Sequence, residues 1–396
     1  MAEPRSGLGL ALWSFVVNGA LYGSLLSRFA EIADRVGAGE IAFGAALGAG
    51  AVGGLAGSVL TPWIARLLGT GGAVTAAGCA YAVLATAAAW APNLLLLATA
   101  LVVLGVVDGC HDVSMNTLAA QVQQRSGTSV MGRVHAAWSL ALSAGAALGA
   151  GAAALPMSVP AHVSIVALAA LLIQLGSWWR TRRLLITPEA GPEPRPPGTP
   201  AGRLRRARSV LIMLAAAAVA ASYVESPGQE WSALLLSRGF EATAGLAAAG
   251  PLAFSAGLLV TRLLLDPLTR RLSVMVISTT AAATITVSML GGLLVAAADG
   301  PAWLALGTLA VAGAGAGPIF PLLFGAAGTL TTRHGVTAAV TASIISTCSR
   351  TGGITAPVLV GALTSVTGLA TVLAVMAAGG ATLLLTLPRA VRRAGG

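Results

Sequence analysis

Apolar stretches of about twenty residues recur along the chain, separated by short segments where arginine, proline and the acids collect. A helix needs roughly 20 apolar residues to cross about 30 Å of hydrocarbon. The pattern predicts six spans at 8–27, 41–61, 71–90, 94–116, 133–154 and 161–179. Six more follow at 209–226, 245–265, 273–297, 302–326, 336–361 and 365–387. Between the two sets, residues 180–208 carry eight Arg, six Pro and two Glu. That composition cannot bury enough apolar area to fold, so a flexible linker held near anionic lipid is expected. The predicted organisation is an N-terminal six-helix bundle over 1–179, a cytoplasmic linker over 180–208, and a C-terminal six-helix bundle with a short tail over 209–396. Gly57-Ser-Val-Leu-Thr61 returns as Gly257-Leu-Leu-Val-Thr261, at an offset of 200 residues. The repeat suggests duplicated bundles around a central cavity.

Composition agrees with this pattern. Of 396 residues, 56% are hydrophobic and 9% charged, against about 25% charged in soluble proteins. A water-soluble globule is excluded; the chain is all-α and polytopic. Its 23 basic residues are all Arg, opposed by 13 acids, for a net charge of +10. Such an excess can signal nucleic-acid binding, but here its placement decides. With the N-terminus inside, 18 Arg fall in cytoplasmic segments and 3 outside, which puts both termini in the cytoplasm. The bilayer is then the partner, and nucleic acid is not. No cleavable signal peptide is expected. Cys79, Cys110 and Cys348 lie in apolar spans without a CxxC, so neither a disulfide nor a metal site is indicated. No nucleophile–base arrangement or cofactor signature appears, so enzyme chemistry has no support.

Ionisable side chains within spans are costly in lipid and need a partner or a wet cavity. In the fourth span Asp108, His111 and Asp112 are spaced i, i+3, i+4 on one helix face, which Asn116 extends by a turn. Two carboxylates beside an imidazole suit proton uptake and release near neutral pH. Pairing with arginines of neighbouring helices would make the same groups structural. The fifth span opens Arg133-Val-His135-Ala-Ala-Trp138-Ser139, where Trp138 reads as helix packing or as a cavity wall.

The seventh span ends Tyr223-Val-Glu225-Ser-Pro227-Gly228-Gln-Glu230-Trp231-Ser232. Pro227 and Gly228 are expected to interrupt the helix beside two acids, as at transporter binding sites and gates. Glu230 fits a gate or a wet helix end. Arg350 lies more than ten residues from either end of its span, so it needs an acid, an anionic solute or each in turn. Asp108, Asp112 and Glu225 are its candidate partners. Arg262 and Asp266 are spaced i, i+4, with Arg270 and Arg271 following. They read as a cytoplasmic latch or as an ordinary interfacial pair. Glycine-rich runs such as Gly313-Ala-Gly315-Ala-Gly317-Pro318 permit close helix contact; with no strand before them they are not dinucleotide loops.

Several segments resemble the fucose-permease-like branch of the major facilitator superfamily. Asp112-Val-Ser-Met-Asn116 with Met131-Gly-Arg-Val-His135-Ala-Ala-Trp138-Ser139 is similar to its fourth-to-fifth helix pattern. Glu225 with Glu230-Trp231-Ser232-Ala233 is similar to its seventh. Pro318-Ile-Phe-Pro321-Leu-Leu-Phe324 and Ala356-Pro357-Val-Leu-Val-Gly361 resemble its tenth and eleventh, and Ser27-Arg28-Phe-Ala-Glu31-Ile32 its first external loop. The resemblance implies the major facilitator fold, alternating access by rocking of two bundles, and proton-coupled movement of a small polar solute. Sugar-carrying relatives use carboxylates in the first and fourth helices. This chain has Asp108 and Asp112 in the fourth but only Asn18 and Tyr22 in the first. Arg350 stands at a position uncharged in the branch, favouring an anionic or zwitterionic solute. Thr61-Pro62 replaces the acid of the superfamily's second-to-third-helix loop, while Gly257, Asp266, Arg270 and Arg271 keep a partial copy.

The expected protein is therefore a proton-coupled secondary transporter of the bacterial cytoplasmic membrane, acting as a monomer without cofactor. Asp108, His111 and Asp112 would carry the proton. Asn18, Tyr22, Asn116, Trp138, Glu225, Trp231 and Arg350 would line the solute cavity, and Arg262, Asp266, Arg270 and Glu230 would gate it. A proton-antiport efflux pump for a drug or secondary metabolite could use the same acids. A non-transporting membrane sensor is the rival from another class, and it has no need of a charged midplane cluster.

Overall fold

The structure, a computed structural model, describes residues 4–126, 130–155, 157–181, 201–334, 336 and 338–395. Among these there are helices and no strand. The first span is α1 (Pro4–Arg35). The second and third form one long α2 (Glu40–Trp90), broken at Gly69, whose φ of 69° and ψ of 163° leave the helical region. A residue with a Cβ is strained at that φ, so the glycine turns the chain where a loop of several residues was expected. The fourth, fifth and sixth spans are α3 (Leu94–Ser126), α4 (Met131–Ala154) and α5 (Val159–Thr181).

The seventh is α6 (Ala201–Glu230), followed by the short α7 (Ser232–Leu234) and a π-helical turn over Leu235–Gly239. Then come α8 (Ala244–Arg271) and α9 (Val274–Ala297). The tenth span is divided into α10 (Ala302–Ala316) and α11 (Ile319–His334), and the last two are α12 (Ala338–Thr367) and α13 (Thr371–Gly395). Among the described residues, ten helical segments are long and apolar enough to cross a membrane.

Two expectations need correction. The sequence predicts a linker over 180–208, but α6 already begins at Ala201. Ala201-Gly-Arg-Leu-Arg-Arg-Ala-Arg208 follows the last proline of that stretch, and Ala, Leu and Arg are strong helix formers; residues 182–200 lie outside those described. The seventh helix also does not stop at Pro227-Gly228. It runs through both to Glu230, and the disturbance falls after it, in α7 and the π turn. Proline lacks only its own N–H, and the carbonyl of Pro227 still accepts from Trp231 N at 3.0 Å.

The helices gather into two compact units, one holding α1–α5 with the first residues of α8, the other α6, α7 and the rest of α8 through α13. In the first unit α2 meets α3 backbone to backbone. A Cβ on Gly53 or Gly57 would collide with the carbonyl oxygens of Val102 and Val106, and one on Gly105 or Gly109 with those of Gly50 and Gly54. The second unit repeats the device. A Cβ on Gly257 would strike Ala310 O, and one on Gly313 would strike Phe254 O. Thr61 and Thr261 each donate back to the glycine four residues earlier, at 2.9 and 3.3 Å. The repeat seen in the sequence is thus a repeat of helix contacts: second on fourth, eighth on tenth. Outward faces carry Leu67, Leu95, Val287, Leu294 and Val366, all well exposed. That is the surface of a protein solvated by lipid.

Gly57→Val should therefore destabilise the protein by about 2 kcal/mol or more, since the added atoms meet backbone that cannot swing aside. Gly291, inside α9, has nothing within 4 Å of a built Cβ. Gly291→Ala should leave stability unchanged or raise it by up to about 1 kcal/mol. Melting temperatures of the two purified variants in detergent check this directly.

Candidate functional site

The polar residues of the first unit converge on α1. Asn18, 5% exposed, accepts from Trp138 Nε1 of α4 at 2.7 Å through its Oδ1. Its Nδ2 donates to Asp108 Oδ1 of α3 at 2.8 Å and lies 3.4 Å from His111 Nδ1. An amide nitrogen is only a donor, so His111 Nδ1 is the accepting atom and a neutral ring carries its proton on Nε2. His111 is fully enclosed, and its Nε2 has no hydrogen-bond partner among the described residues. On that side stand Gly78 of α2 and Gln174 of α5. A Cβ on Gly78 would lie 3.0 Å from His111 Nε2 and 2.9 Å from Gln174 Cδ. Gln174 in turn bonds Ser14 of α1, its Nε2 donating at 3.1 Å. The Tyr81 ring of α2 lies 6.3 Å from the His111 ring.

Asp108 and His111 are joined through Asn18, whereas Asp112 accepts from Asn116 Nδ2 at 3.0 Å within its own helix. Tyr22 sits half-buried one turn beyond Asn18, and His135 stands edge-on to Phe15 with ring centroids 5.1 Å apart. Gln174 and Ser14 escape a reading of the sequence by charge, although a lone glutamine in an apolar span carries the same warning.

In the second unit the expected latch is not formed. Arg262 reaches Glu225 of α6, with Nη2 3.5 Å from Oε1, and its Nε donates to the carbonyl of Gly317 at 3.4 Å. Asp266 and Arg270 are exposed, and their charged groups make no contact among the described residues. The physical reason is solvation. Asp266 is exposed and needs no partner within the protein, while Glu225 and Arg262 are largely buried and need each other. The Gly317 carbonyl is available because the residue four positions on is Pro321, which has no N–H to close the helical bond. Pro318 and Pro321 carry that signal openly in the sequence.

Trp231 was expected at the cavity wall but is completely buried, a core side chain of this unit. Glu230 is half-buried and accepts from Ser226 Oγ at 2.7 Å. Arg350 is exposed on α12, beside a close contact with α6. There Ser222 Oγ donates to Ser349 O at 2.9 Å, and Tyr223 OH donates to Thr355 Oγ1 at 3.0 Å. Among the described residues no three His, Cys, Asp or Glu side chains converge as a metal site.

A further charged group lies at the far end of α1. Arg28, fully buried, bonds Glu31 through Nη2 at 2.8 Å and approaches it again through Nε at 2.8 Å; it also donates to Met157 O at 2.6 Å. The sequence places Arg28 in an external loop. Instead α1 continues to Arg35, and this tight pair ties it to the α4–α5 connection.

Comparison with known proteins bears on the whole chain. The Major Facilitator Superfamily pattern matches residues 8–343. An uncharacterized transporter, y4wD, of Sinorhizobium fredii (strain NBRC 101917 / NGR234) is 31% identical over 264 residues, covering 65% of this chain and 66% of its own. Solved structures share the fold at low identity. A point mutant of the nucleoside transporter NupG superposes with a TM-score of 0.75 at 13% identity, over 97% of this chain and 99% of its own. A bacterial homolog of the human lysosomal transporter Spinster, inward-facing and unoccupied, gives 0.69 at 14% identity over 100% and 99%. The xylose transporter XylE of E. coli, partially occluded and inward open, gives 0.69 at 10% identity over 97% and 98%. With its long apolar helices and a family match over most of its length, the chain belongs to the Major Facilitator Superfamily and is a membrane transporter.

Proposed function

We propose that this transporter is a secondary carrier that moves a small polar solute together with protons, by alternating access, across the bacterial plasma membrane. The single observation behind the reading is the Asn18 node: one amide bonds a carboxylate, touches an imidazole and accepts from an indole, on three helices. In a span, a carboxylate bonded to a neutral amide keeps its proton affinity adjustable. Asp108 takes and releases the proton, His111 is its neighbour along the seam, and Trp138 reports the change to α4. Protonation gives Asp108 an O–H donor and weakens what its oxygens accept, so the bond from Asn18 Nδ2 is loosened and is lost where Oδ1 itself takes the proton.

The motifs in the fourth, fifth, seventh, tenth and eleventh spans support membership of the fucose-permease-like branch. The arginine distribution, 18 against 3, supports cytoplasmic termini. The segment between α5 and α6 then joins the two bundles on the cytoplasmic side.

Purified full-length protein in proteoliposomes containing a pH-sensitive dye should show solute-driven proton movement when pools of sugars, nucleosides and organic acids are added in turn. Asp108→Asn should abolish that movement. A wild type that transports without moving protons would sink the reading, and the sign of proton flux against solute flux separates import from export. Asn18→Ala should slow coupled transport about tenfold or more, because a buried polar group left without its bond costs about 1–3 kcal/mol. Trp138→Phe, which keeps a ring and removes only the donor, should slow it less, about fivefold, for a bond worth roughly 1 kcal/mol net. Initial rates at matched protein density measure both.

A further inference from the structure

Two arginine–glutamate pairs among the described residues, Arg28–Glu31 and Arg262–Glu225, are built differently. Arg28 is fully enclosed; it bonds Glu31, whose side chain is 35% exposed, through Nη2 at 2.8 Å and approaches it through Nε at the same distance. That is the short range of a charge-assisted bond. Arg262 and Glu225 touch once, at 3.5 Å, and their side chains are 27% and 19% exposed. The second pair is loose and partly accessible. Its arginine also has a separate anchor, the Gly317 carbonyl freed by Pro321, which receives Nε at 3.4 Å. The guanidinium would therefore keep its position if Glu225 let go, and its Nη groups would then be free to bind another carboxylate as a planar fork.

We infer that the Glu225–Arg262 pair is an exchange site for a monoanionic carboxylate solute: the solute carboxylate takes Arg262, and the displaced Glu225 takes up a proton. The inference rests on the proton-coupled reading above and adds to it a solute class and a second titrating group. Charge requires the proton. Before exchange the pair is neutral, one guanidinium against one carboxylate. After exchange one guanidinium faces two carboxyl groups, and a second negative charge within the span is strongly disfavoured unless Glu225 becomes a neutral acid. The balance is one anion bound and one proton bound, with no bond made or broken in the solute. A monoanion satisfies it, whereas a neutral sugar or nucleoside offers nothing to displace Glu225.

The test uses full-length protein in detergent, with benzoate and lactate as probes and their methyl esters as neutral controls, titrated at pH 6 and pH 8 by calorimetry. Wild type should bind the acids more tightly at pH 6 than at pH 8 and should not bind the esters. Glu225→Gln, which imitates the protonated acid and frees Arg262, should bind the acids about tenfold or more tightly than wild type at pH 8, with the pH dependence flattened. Arg262→Gln should lose acid binding; if that variant does not fold, the gain in Glu225→Gln carries the test alone. Esters bound as well as acids, or no tightening in Glu225→Gln, overturns the exchange site. If proton movement driven by a neutral solute is lost in Asp108→Asn while Glu225→Gln binds acids as wild type does, this inference falls and the earlier reading stands. Tightening in Glu225→Gln in a protein that moves no protons upholds the exchange chemistry and removes the earlier reading.

Discussion

An ionised or strongly polar side chain inside a bundle of Ala, Gly, Val and Leu has lost its hydration and must find its partners within the protein. In this chain those partners lie on other helices. Asn18 binds α1 to α3 and α4, and Arg28 binds α1 to the connection between α4 and α5. Arg262 binds α8 to α6 and to the break between α10 and α11. Apolar surfaces packed together in lipid have little directional preference, because the tails are as apolar as leucine. These few polar junctions supply the direction, fixing the rotation and depth of each helix against its neighbours within a unit.

The junctions differ in how firmly they hold. A double contact at 2.8 Å around a fully buried guanidinium, as at Arg28, serves structure. A single long contact with partial access, as at Arg262, leaves both partners open to rearrangement. Asn18 is a third kind, a neutral amide between a carboxylate and an indole, which brings no charge of its own to hold the carboxylate ionised. A transporter needs firm and yielding contacts in the same bundle, and here both are made from the same few residue types.

Much of this was legible in the sequence. The periodic loss of polar residues marked out the long apolar helices, and the isolated charges pointed to Asp108, His111, Glu225, Arg262 and Arg350. What it could not supply was partnership. Spacing on α8 suggested Arg262 with Asp266, since neighbours on one helix are the only neighbours a sequence displays. The actual partner, Glu225, is 37 positions away on another helix. Likewise Asp112 shares a face with His111 in spacing, yet its carboxylate accepts from Asn116, one turn on. Helix ends were misjudged for a related reason. Hydropathy marks where the bilayer ends, while α3 runs past the predicted limit at 116 to Ser126, and α6 begins among arginines that helix geometry accepts readily.

The backbone contacts at Gly53, Gly57, Gly105 and Gly109, and their counterparts at Gly257 and Gly313, carry a consequence for descent. Where two helices touch through bare backbone, the sequence is required only to withhold a side chain at a few positions. Everything facing lipid can drift among Leu, Val, Ile, Phe and Ala at little cost. Chains built on such contacts can diverge until few positions agree, without the helices losing their places. A fold can then be shared at a TM-score of 0.75 where only 13% of residues agree, because such contacts ask for absences rather than for particular side chains.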